Sequence, residues 1–210
     1  MARDTPLGFP AHTLPYRCGE FTTLSTASRV SFRLALNDSF RAFSFGGNGM
    51  NDVESMRLAL VLAERGRGWT APNPMVGAVI VKDGAVIGQG WHERYGEPHA
   101  ERNALAACTA DPAGATMYVT LEPCCHHGKQ PPCVDAILAS GIRRVVIGSA
   151  DPNPLVAGKG VAILRSHSVE VTENVLREEC DALNRIFFHY ITTGRPFVSM
   201  KYAMTMDGKI

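Results

Sequence analysis

The chain has 210 residues, enough for one full-sized domain with extensions and too few for two large domains. Hydrophobic residues at 45%, charged residues at 20% and a net charge of +1 are ordinary for a soluble globular protein. There is no run of about eighteen apolar residues and no strong basic excess, which argues against a membrane span and against a nucleic-acid or membrane-surface partner.

Residues 1–49 differ from the rest of the chain in composition and in hydrophobic periodicity. They are rich in Ser and Thr, carry five Arg against three acidic residues, and show no sustained helical or strand period. Two interpretations are open: a transit-type leader, or translation that begins upstream of a natural start at Met50 or Met56. The lack of an amphipathic face favours the second. Under either interpretation we expect residues 1–49 to lie outside the fold.

From Asn51 onward, helix and strand patterns alternate. Asn51 and Glu54 have the spacing of a capping box and predict a helix that ends near residues 66–68. A Lys-Asp-Gly turn at 82–84 predicts a hairpin. We predict strands over 76–81, 85–91, 116–121, 144–147 and 169–172, and further helices over 99–108, 132–140, 161–167 and 174–193. A hairpin followed by alternating strands and helices predicts a three-layer α/β/α sandwich around a mixed sheet.

A second change of composition comes at the Gly-Arg-Pro sequence of residues 194–196. Residues 197–200 then have the pattern of a new strand. We therefore predict one domain over residues 50–194 and a separate segment over residues 195–210.

The chemistry of the chain is concentrated in two short segments, HAE at residues 99–101 and PCCHHGKQPPC at 123–133. An imidazole and two thiolates can hold a zinc ion and leave its fourth position open, as catalytic zinc sites do. Water in that position becomes acidic enough to supply a nucleophile near neutral pH. We predict His99, Cys124 and Cys133 as zinc ligands and Glu101, two residues after the first ligand, as the catalytic proton carrier. The six cysteines suit a metal site better than disulfides, because no clear signal peptide is present.

Two alternatives stay open at this point. A lone His-x-Glu is a weak signal, and the general pattern of zinc nucleobase deaminases has two residues between its cysteines, where this chain has eight. A structural zinc site is one alternative, since Cys125, His126 or His127 could fill the fourth position. A deaminase of cytosine, a nucleotide or tRNA is the other. Residues 50–210 hold 16 basic and 17 acidic side chains, which argues against the basic groove that tRNA needs.

Four segments carry a family resemblance: PNPMVGAV at residues 72–79, HAE at 99–101, EPCCHHGKQPPC at 122–133 and DPNPLVAGKG at 151–160. Together they resemble the deaminase domain of the bifunctional riboflavin-biosynthesis deaminase–reductase family, in which the long spacing between the cysteines is normal. The resemblance implies a cytidine-deaminase-like fold, a zinc cofactor and a cytoplasmic enzyme. It also implies the reaction, hydrolysis of 2,5-diamino-6-(5-phosphoribosylamino)-4(3H)-pyrimidinone to 5-amino-6-(5-phosphoribosylamino)uracil and ammonia.

The same resemblance implies substrate-binding roles for six side chains: Asn73, His92, His126, Lys129, Asp151 and Asn153. Lys129 would bind the phosphate and Asn73 the pyrimidine edge. Asp151 and Asn153 would bind the ribose hydroxyls or groups near the phosphate. The Asn-Pro at 73–74 and the Asp-Pro-Asn-Pro at 151–154 are also ordinary turn sequences. Gln130 stands where the family pattern has Thr, which puts one phosphate contact in doubt.

Residues 195–210 resemble the opening of the family's reductase domain. Sixteen residues cannot form a nicotinamide-binding unit, so we expect this chain to deaminate and not to reduce. We expect a small-molecule partner and neither a nucleic-acid nor a membrane partner. The apolar side chains of residues 195–210 favour association into a homo-oligomer.

Overall fold

The structure, a computed structural model, describes residues 49–154 and 156–209, so the predicted extra segment lies outside the described residues except for Gly49. The helices are α1 (Asp52–Ala63), α2 (Ala100–Ala106), α3 (Cys133–Ala139), α4 (Lys159–Ser166), α5 (Arg177–Leu183) and α6 (Arg185–Thr193), with a 3-10 turn over Glu64–Gly66. The strands are β1 (Gly77–Lys82), β2 (Ala85–Trp91), β3 (Thr116–Leu121), β4 (Arg144–Ser149) and β5 (Glu170–Thr172).

The five strands form one mixed sheet in the order β2-β1-β3-β4-β5. Strand β1 runs antiparallel to both β2 and β3, whereas β3, β4 and β5 are parallel to one another. The carboxyl ends of β2, β3 and β4 and the amino end of β1 therefore meet at one edge of the sheet. Ligands of open α/β sheets bind at this kind of edge.

Helices cover both faces of the sheet. On one face, α1 and α5 pack against the strands through Met56, Leu62 and Cys180. On the other face, α2, α3 and α4 bury apolar side chains against the opposite side of the same strands, among them Ala104 and Ile137. The predicted three-layer α/β/α sandwich around a mixed sheet is confirmed.

Local sequence signals determine most element boundaries. The side chain of Asn51 accepts from the backbone N–H of Glu54, and the Glu54 carboxylate accepts from the N–H of Asn51, which is the predicted capping box. Gly141, with φ of 71°, follows α3 in the left-handed conformation that glycine adopts without strain. The elements predicted between residues 51 and 172 agree with the structure to within two residues at their ends, when the 3-10 turn over Glu64–Gly66 is counted with α1.

The predicted single helix over residues 174–193 is wrong. Asn174 and Leu176 have φ of 68° and 55°, outside the helical region, so α5 begins only at Arg177. Asn184 then separates α5 from α6, with φ of −108° and ψ of 19°. Its side chain hydrogen-bonds the backbone of Met75, a contact 109 residues away that holds it out of helical geometry.

The predicted strand over residues 197–200 is also wrong. These residues have no strand structure, and Val198 and Met200 are 83% and 82% exposed. Within the described residues they pair with no strand of the sheet, and a strand needs a hydrogen-bonded neighbour. The boundary predicted at residue 194 stays a prediction.

A glycine on β2 allows helix α2 to approach the sheet closely. A β-carbon at Gly90 would lie 2.4 Å from the backbone nitrogen of Ala104 and 2.8 Å from Cβ of Asn103. A β-carbon does not approach nonbonded atoms this closely, so glycine fits here and a larger residue would force the backbone of α2 to shift. Asn103 also donates from Nδ2 to the carbonyl oxygen of Trp91 at 2.8 Å. Helix α2, which follows His99 and carries Glu101, is therefore fixed against β2.

Among the described residues, the helices are all too short or too polar to cross a bilayer.

Candidate active site

A cavity of about 290 Å³ opens at the edge of the sheet where β2, β3 and β4 end and β1 begins. Nine of the ten predicted site residues line it: Asn73, His92, His99, Glu101, Cys124, His126, Lys129, Asp151 and Asn153. The tenth, Cys133, is fully buried, and its Sγ lies 3.4 Å from Nδ1 of His99. Residues separated by up to eighty positions in the chain are thus gathered at one place.

Three donor atoms converge at the floor of the cavity. The Nδ1 atom of His99 lies 3.5 Å from Sγ of Cys124 and 3.4 Å from Sγ of Cys133, and all three donor atoms lie within 4.8 Å of one another. Among the described residues, Cys125, His126 and His127 are not members of this group. One imidazole and two thiolate donors match the ligand set of a zinc ion that keeps a coordination position for solvent.

Backbone and side-chain contacts hold negative charge on this cluster. The N–H of Cys133, the first residue of α3, donates to Sγ of Cys124 at 3.4 Å. The hydrogen bond from the Cys133 thiol lowers the pKa of Cys124 to about 4, and the same interaction raises the pKa of Cys133. The hydrogen bond with Cys124 raises the pKa of His99, so the ring next to the thiolate favours a proton that a metal ion would displace on binding. The cluster therefore carries a thiolate, the form that binds zinc.

Glu101 lies two residues after His99 and is only 3% exposed. It stands in the first turn of α2, and burial raises its pKa to about 7. A carboxyl group that titrates near neutral pH can both accept and donate a proton there.

His92 and Asn73 form a hydrogen-bonded pair in the cavity wall. Nδ1 of His92 lies 3.2 Å from the carbonyl oxygen of Pro98, which can only accept, so Nδ1 carries the proton. Burial lowers the pKa of His92, which favours the neutral ring. Nε2 is then an acceptor and takes its hydrogen from Nδ2 of Asn73 at 3.3 Å. This hydrogen bond orients the carboxamide of Asn73, and it uses the amide nitrogen but not the amide oxygen.

Asp151 and Asn153 lie on the loop after β4. The carboxylate of Asp151 accepts from the backbone N–H of Asn153 at 2.8 Å, so the turn suggested by the sequence is present. The Asp151 side chain is buried at the cavity wall, and burial raises its pKa to about 6. Both side chains line the cavity while this hydrogen bond holds the loop in place.

Glu122 lines the cavity, but its carboxylate is hydrogen-bonded to backbone N–H groups of the protein. It accepts from the N–H groups of Gly158 at 3.0 Å and Val161 at 3.3 Å, at the start of α4. A β-carbon at Gly160 would lie 2.4 Å from the carbonyl oxygen of Pro123, so glycine permits α4 to pack against the loop that carries Cys124. Glu122 therefore fixes that loop to α4.

His126 contributes an unpaired polar atom to the site. Its Nδ1 is buried and has no hydrogen-bond partner among the described residues, although the residue lines the cavity. A buried polar atom without a partner is costly unless a ligand or water satisfies it.

Tyr95, Gly96 and Phe187 also line the cavity, although the sequence did not predict them as site residues. Tyr95 and Gly96 lie on the loop after β2, and Phe187 lies on α6. None of them carries the imidazole, thiol or carboxyl groups that form the zinc-site pattern, so that pattern does not indicate them. For Tyr95, the one available signal was its position between His92 and His99 in a Gly-containing loop.

Residues 50–149 match the family described as the cytidine and deoxycytidylate deaminase zinc-binding region. The fold and the site define the chain as the carrier of a zinc-binding deaminase domain. Among curated proteins, the riboflavin biosynthesis protein RibD of Actinobacillus pleuropneumoniae is 62% identical over 161 residues, 77% of this chain and 43% of that protein. RibD of Escherichia coli strain K12 is 48% identical over 160 residues, 76% of this chain and 44% of that protein.

A solved structure of a diaminohydroxyphosphoribosylaminopyrimidine deaminase/5-amino-6-(5-phosphoribosylamino)uracil reductase from Thermotoga maritima superposes with a TM-score of 0.72 at 52% identity. The match covers 75% of this chain and 46% of that one. The chain belongs to the riboflavin-biosynthesis RibD family and contains its deaminase domain. It spans less than half the length of these relatives.

Proposed function

We propose that this protein catalyses the hydrolytic, zinc-dependent deamination of 2,5-diamino-6-(5-phosphoribosylamino)-4(3H)-pyrimidinone. The products are 5-amino-6-(5-phosphoribosylamino)uracil and ammonia, in the biosynthesis of riboflavin. One observation carries the proposal: a three-donor metal cluster, a buried carboxyl group and a lysine share a single cavity. Similarity to the RibD proteins supports the choice of substrate.

In this proposal, His99, Cys124 and Cys133 hold the zinc ion. Their donor atoms are close enough to share one ion, and Cys124 is held as a thiolate. When bound, zinc supplies an acidified water molecule, so that a hydroxide-like nucleophile is available near neutral pH. Glu101, buried beside the donors, would not be needed as a ligand.

Glu101 moves the protons of the reaction. Its carboxylate takes a proton from the attacking water as the bond between the water oxygen and C2 of the pyrimidinone forms. The carboxyl group then protonates the nitrogen of the 2-amino group, the C2–N bond breaks and ammonia leaves. One water is consumed and one ammonia is released, and Glu101 ends in its starting protonation state.

The remaining predicted residues bind and orient the substrate. Asn73, oriented by His92, would present its carboxamide oxygen to the pyrimidine edge. The unpaired Nδ1 of His126 would be satisfied by a polar group of the substrate. Asp151 and Asn153 would meet the ribose hydroxyls, and Lys129 the phosphate.

We also propose that residues 50–194 constitute the deaminase domain and that the reaction takes place in the cytoplasm. The predicted ligands Cys124 and Cys133 are unbridged, and a reducing compartment such as the cytoplasm favours that form, which supports the proposed location. A small phosphorylated pyrimidine is the partner that this cavity suits, and we propose no nucleic-acid partner.

The experiment is an ammonia-release assay on the purified, zinc-loaded protein. The substrates are the phosphoribosyl-diaminopyrimidinone, cytosine, cytidine and deoxycytidylate, and zinc per chain is measured in parallel. We expect one zinc per chain and ammonia from the first compound. Faster release from any of the cytosine compounds, or none from the pyrimidinone by fully loaded protein, would contradict the proposal.

A further inference from the structure

Acidic side chains outnumber Lys and Arg side chains in the lining of the cavity. Of the described residues that line it, Lys129 is the only Lys or Arg. Four lining residues carry carboxyl groups: Glu97, Glu101, Glu122 and Asp151. An anionic group that enters such a cavity is repelled by carboxylates and attracted by a single ammonium. The placement of that ammonium therefore controls whether a phosphate is accepted.

The side chain of Lys129 is held against an aromatic ring. Its Nζ lies 4.1 Å from the centroid of the Tyr95 ring, within the range of a cation–π interaction. The aliphatic part of the Lys129 side chain lies next to Gly96. A β-carbon built on Gly96 would be 3.9 Å from Cδ of Lys129. Lys129 takes part in none of the salt bridges found between described residues. The ring is thus the contact that restricts an otherwise flexible side chain.

The two loops that carry this pair are tied together by Gln130. Its side-chain Nε2 donates to the carbonyl oxygen of Gly96 at 2.9 Å, and its backbone carbonyl oxygen accepts from the N–H of Gly128 at 3.2 Å. The N–H of Tyr95 donates to the carbonyl oxygen of Trp69 at 3.0 Å. The side-chain amide of Gln130 therefore fixes the loop that bears Lys129 against the loop that bears Tyr95.

We propose that Tyr95 is a positioning residue that holds the ammonium of Lys129 where the substrate phosphate binds, and so sets the preference for phosphorylated substrate. This inference rests on the proposed function. The ring face attracts the cation without accepting a directed hydrogen bond, so the N–H groups of Lys129 stay available to phosphate oxygens. Tyr95 does not belong to the metal-donor group formed by His99, Cys124 and Cys133.

A phenylalanine at position 95 keeps the ring face, whereas an aliphatic residue removes it. We therefore compare Tyr95→Phe with Tyr95→Leu, using ammonia release from the phosphoribosyl-diaminopyrimidinone and from its dephosphorylated analogue. For Tyr95→Leu we expect the KM of the phosphorylated substrate to rise about fivefold, with an unchanged kcat and an unchanged KM of the analogue. Tyr95→Phe should behave like the unchanged protein.

A matched control is Trp69→Leu. Trp69 carries a second cation–π contact, with Arg94 at 4.9 Å from its ring, but it does not line the cavity. Loss of that ring should leave both KM values unchanged. Tyr95→Met repeats the test if Tyr95→Leu unfolds at a lower temperature than the unchanged protein.

The results separate this inference from the function on which it rests. If the unchanged protein releases no ammonia from either compound, the proposed function fails. If the unchanged protein prefers the phosphorylated compound and Tyr95→Leu and Tyr95→Met keep that preference, only the role of Tyr95 is overturned. Equal KM increases for both compounds, or an equal defect in Tyr95→Phe, would also overturn it.

Discussion

The side-chain amide of Asn184 pairs with both backbone groups of Met75. Its Oδ1 accepts from the Met75 N–H and its Nδ2 donates to the Met75 carbonyl oxygen, each at 2.8 Å. Asn184 is 3% exposed and lies between α5 and α6, while Met75 lies two residues after Asn73. One side chain therefore couples the C-terminal helices, including Phe187, to the loop that bears a predicted substrate contact.

Asn184→Ala should destabilise the protein by about 1–3 kcal/mol, because the Met75 groups lose their partners in a partly buried site. Urea unfolding followed by circular dichroism measures this change. Asn184→Asp is the matched variant, since a carboxylate still accepts from the N–H and cannot donate to the carbonyl oxygen. At pH 7 it should be no more stable than Asn184→Ala, because its carboxylate faces the carbonyl oxygen as an unpaired charge in a buried site. An unchanged midpoint for Asn184→Ala would show that the pairing does not stabilise the fold.

The sequence predicted the elements whose signals are local. The capping box at Asn51 and the glycine after α3 depend on neighbouring residues and were located correctly. The break at Asn184 depends on Met75, and no pattern within residues 174–193 reveals that contact. Residues 197–200 have the composition of a strand, but a strand also requires a partner edge, which composition does not provide.

The candidate site was predictable to the extent that it consists of reactive side chains. His99, Glu101 and the cysteines have a characteristic spacing, so their proximity in the structure follows a pattern visible in the sequence. Tyr95 and Phe187 line the same cavity through a loop and a distant helix. Their contribution depends on how α6 and the loop after β2 pack, and the sequence has no short-range signal for that packing.

A partly buried ion pair joins α1 to the sheet. Asp52, the first residue of α1, accepts from the Arg144 guanidinium at 2.9 and 2.7 Å and from the Tyr118 hydroxyl at 2.9 Å. The hydrogen bonds from Arg144 hold the pKa of Asp52 below its usual value. Because the folded pKa is depressed, the stabilisation is complete above the unfolded pKa, about 3.9, and is lost as pH falls through the folded pKa.

Asp52→Asn should lower the free energy of unfolding by about 1 kcal/mol at pH 7, with a smaller deficit below pH of about 4. Acid also releases zinc, but it does so from both proteins, so the difference between them is the informative quantity. Urea unfolding at pH 7 and pH 3 gives that difference. Glu64→Gln is the control, because the Glu64–Arg67 pair is more exposed and should contribute little. A pH-independent deficit for Asp52→Asn would assign its effect to packing.

Cys133→Ser should lose zinc, whereas Cys125→Ser should keep it. Sγ of Cys133 lies 3.4 Å from Nδ1 of His99, and Cys125 does not belong to the donor group. Adjacent side chains also rarely converge on one tetrahedral ion. Zinc per chain, measured after gel filtration, shows whether Cys133 or Cys125 is the third ligand. Circular dichroism shows whether both variants are folded. The reverse result, with zinc kept by Cys133→Ser and lost by Cys125→Ser, would mean that the third ligand is wrong.

Lys129→Ala should raise the KM of the phosphorylated substrate about 10- to 100-fold and leave that of the dephosphorylated analogue nearly unchanged. The reason is that the attraction between an ammonium and a phosphate disappears when either partner is removed. Steady-state ammonia release with both compounds measures the split. Lys82→Ala removes the same charge at the far end of β1 and serves as the control. Equal effects on the two compounds would reassign Lys129 to a structural role.

Glu101→Gln should keep its zinc and lose almost all turnover. Glutamine is nearly isosteric with glutamate, so the buried position beside the three donors stays filled and the metal cluster is undisturbed. An amide cannot take a proton from water or return it to the leaving nitrogen, and loss of such proton transfer typically costs a factor of about 10² to 10⁴. We expect kcat to fall by that factor with little change in KM, since substrate binding is proposed to depend on other residues. Glu93→Gln, which removes an exposed carboxylate on the loop after β2, is the control and should be fully active. Zinc analysis and ammonia release on the same samples separate loss of the metal from loss of the proton carrier. Wild-type turnover in zinc-loaded Glu101→Gln would require a different proton carrier.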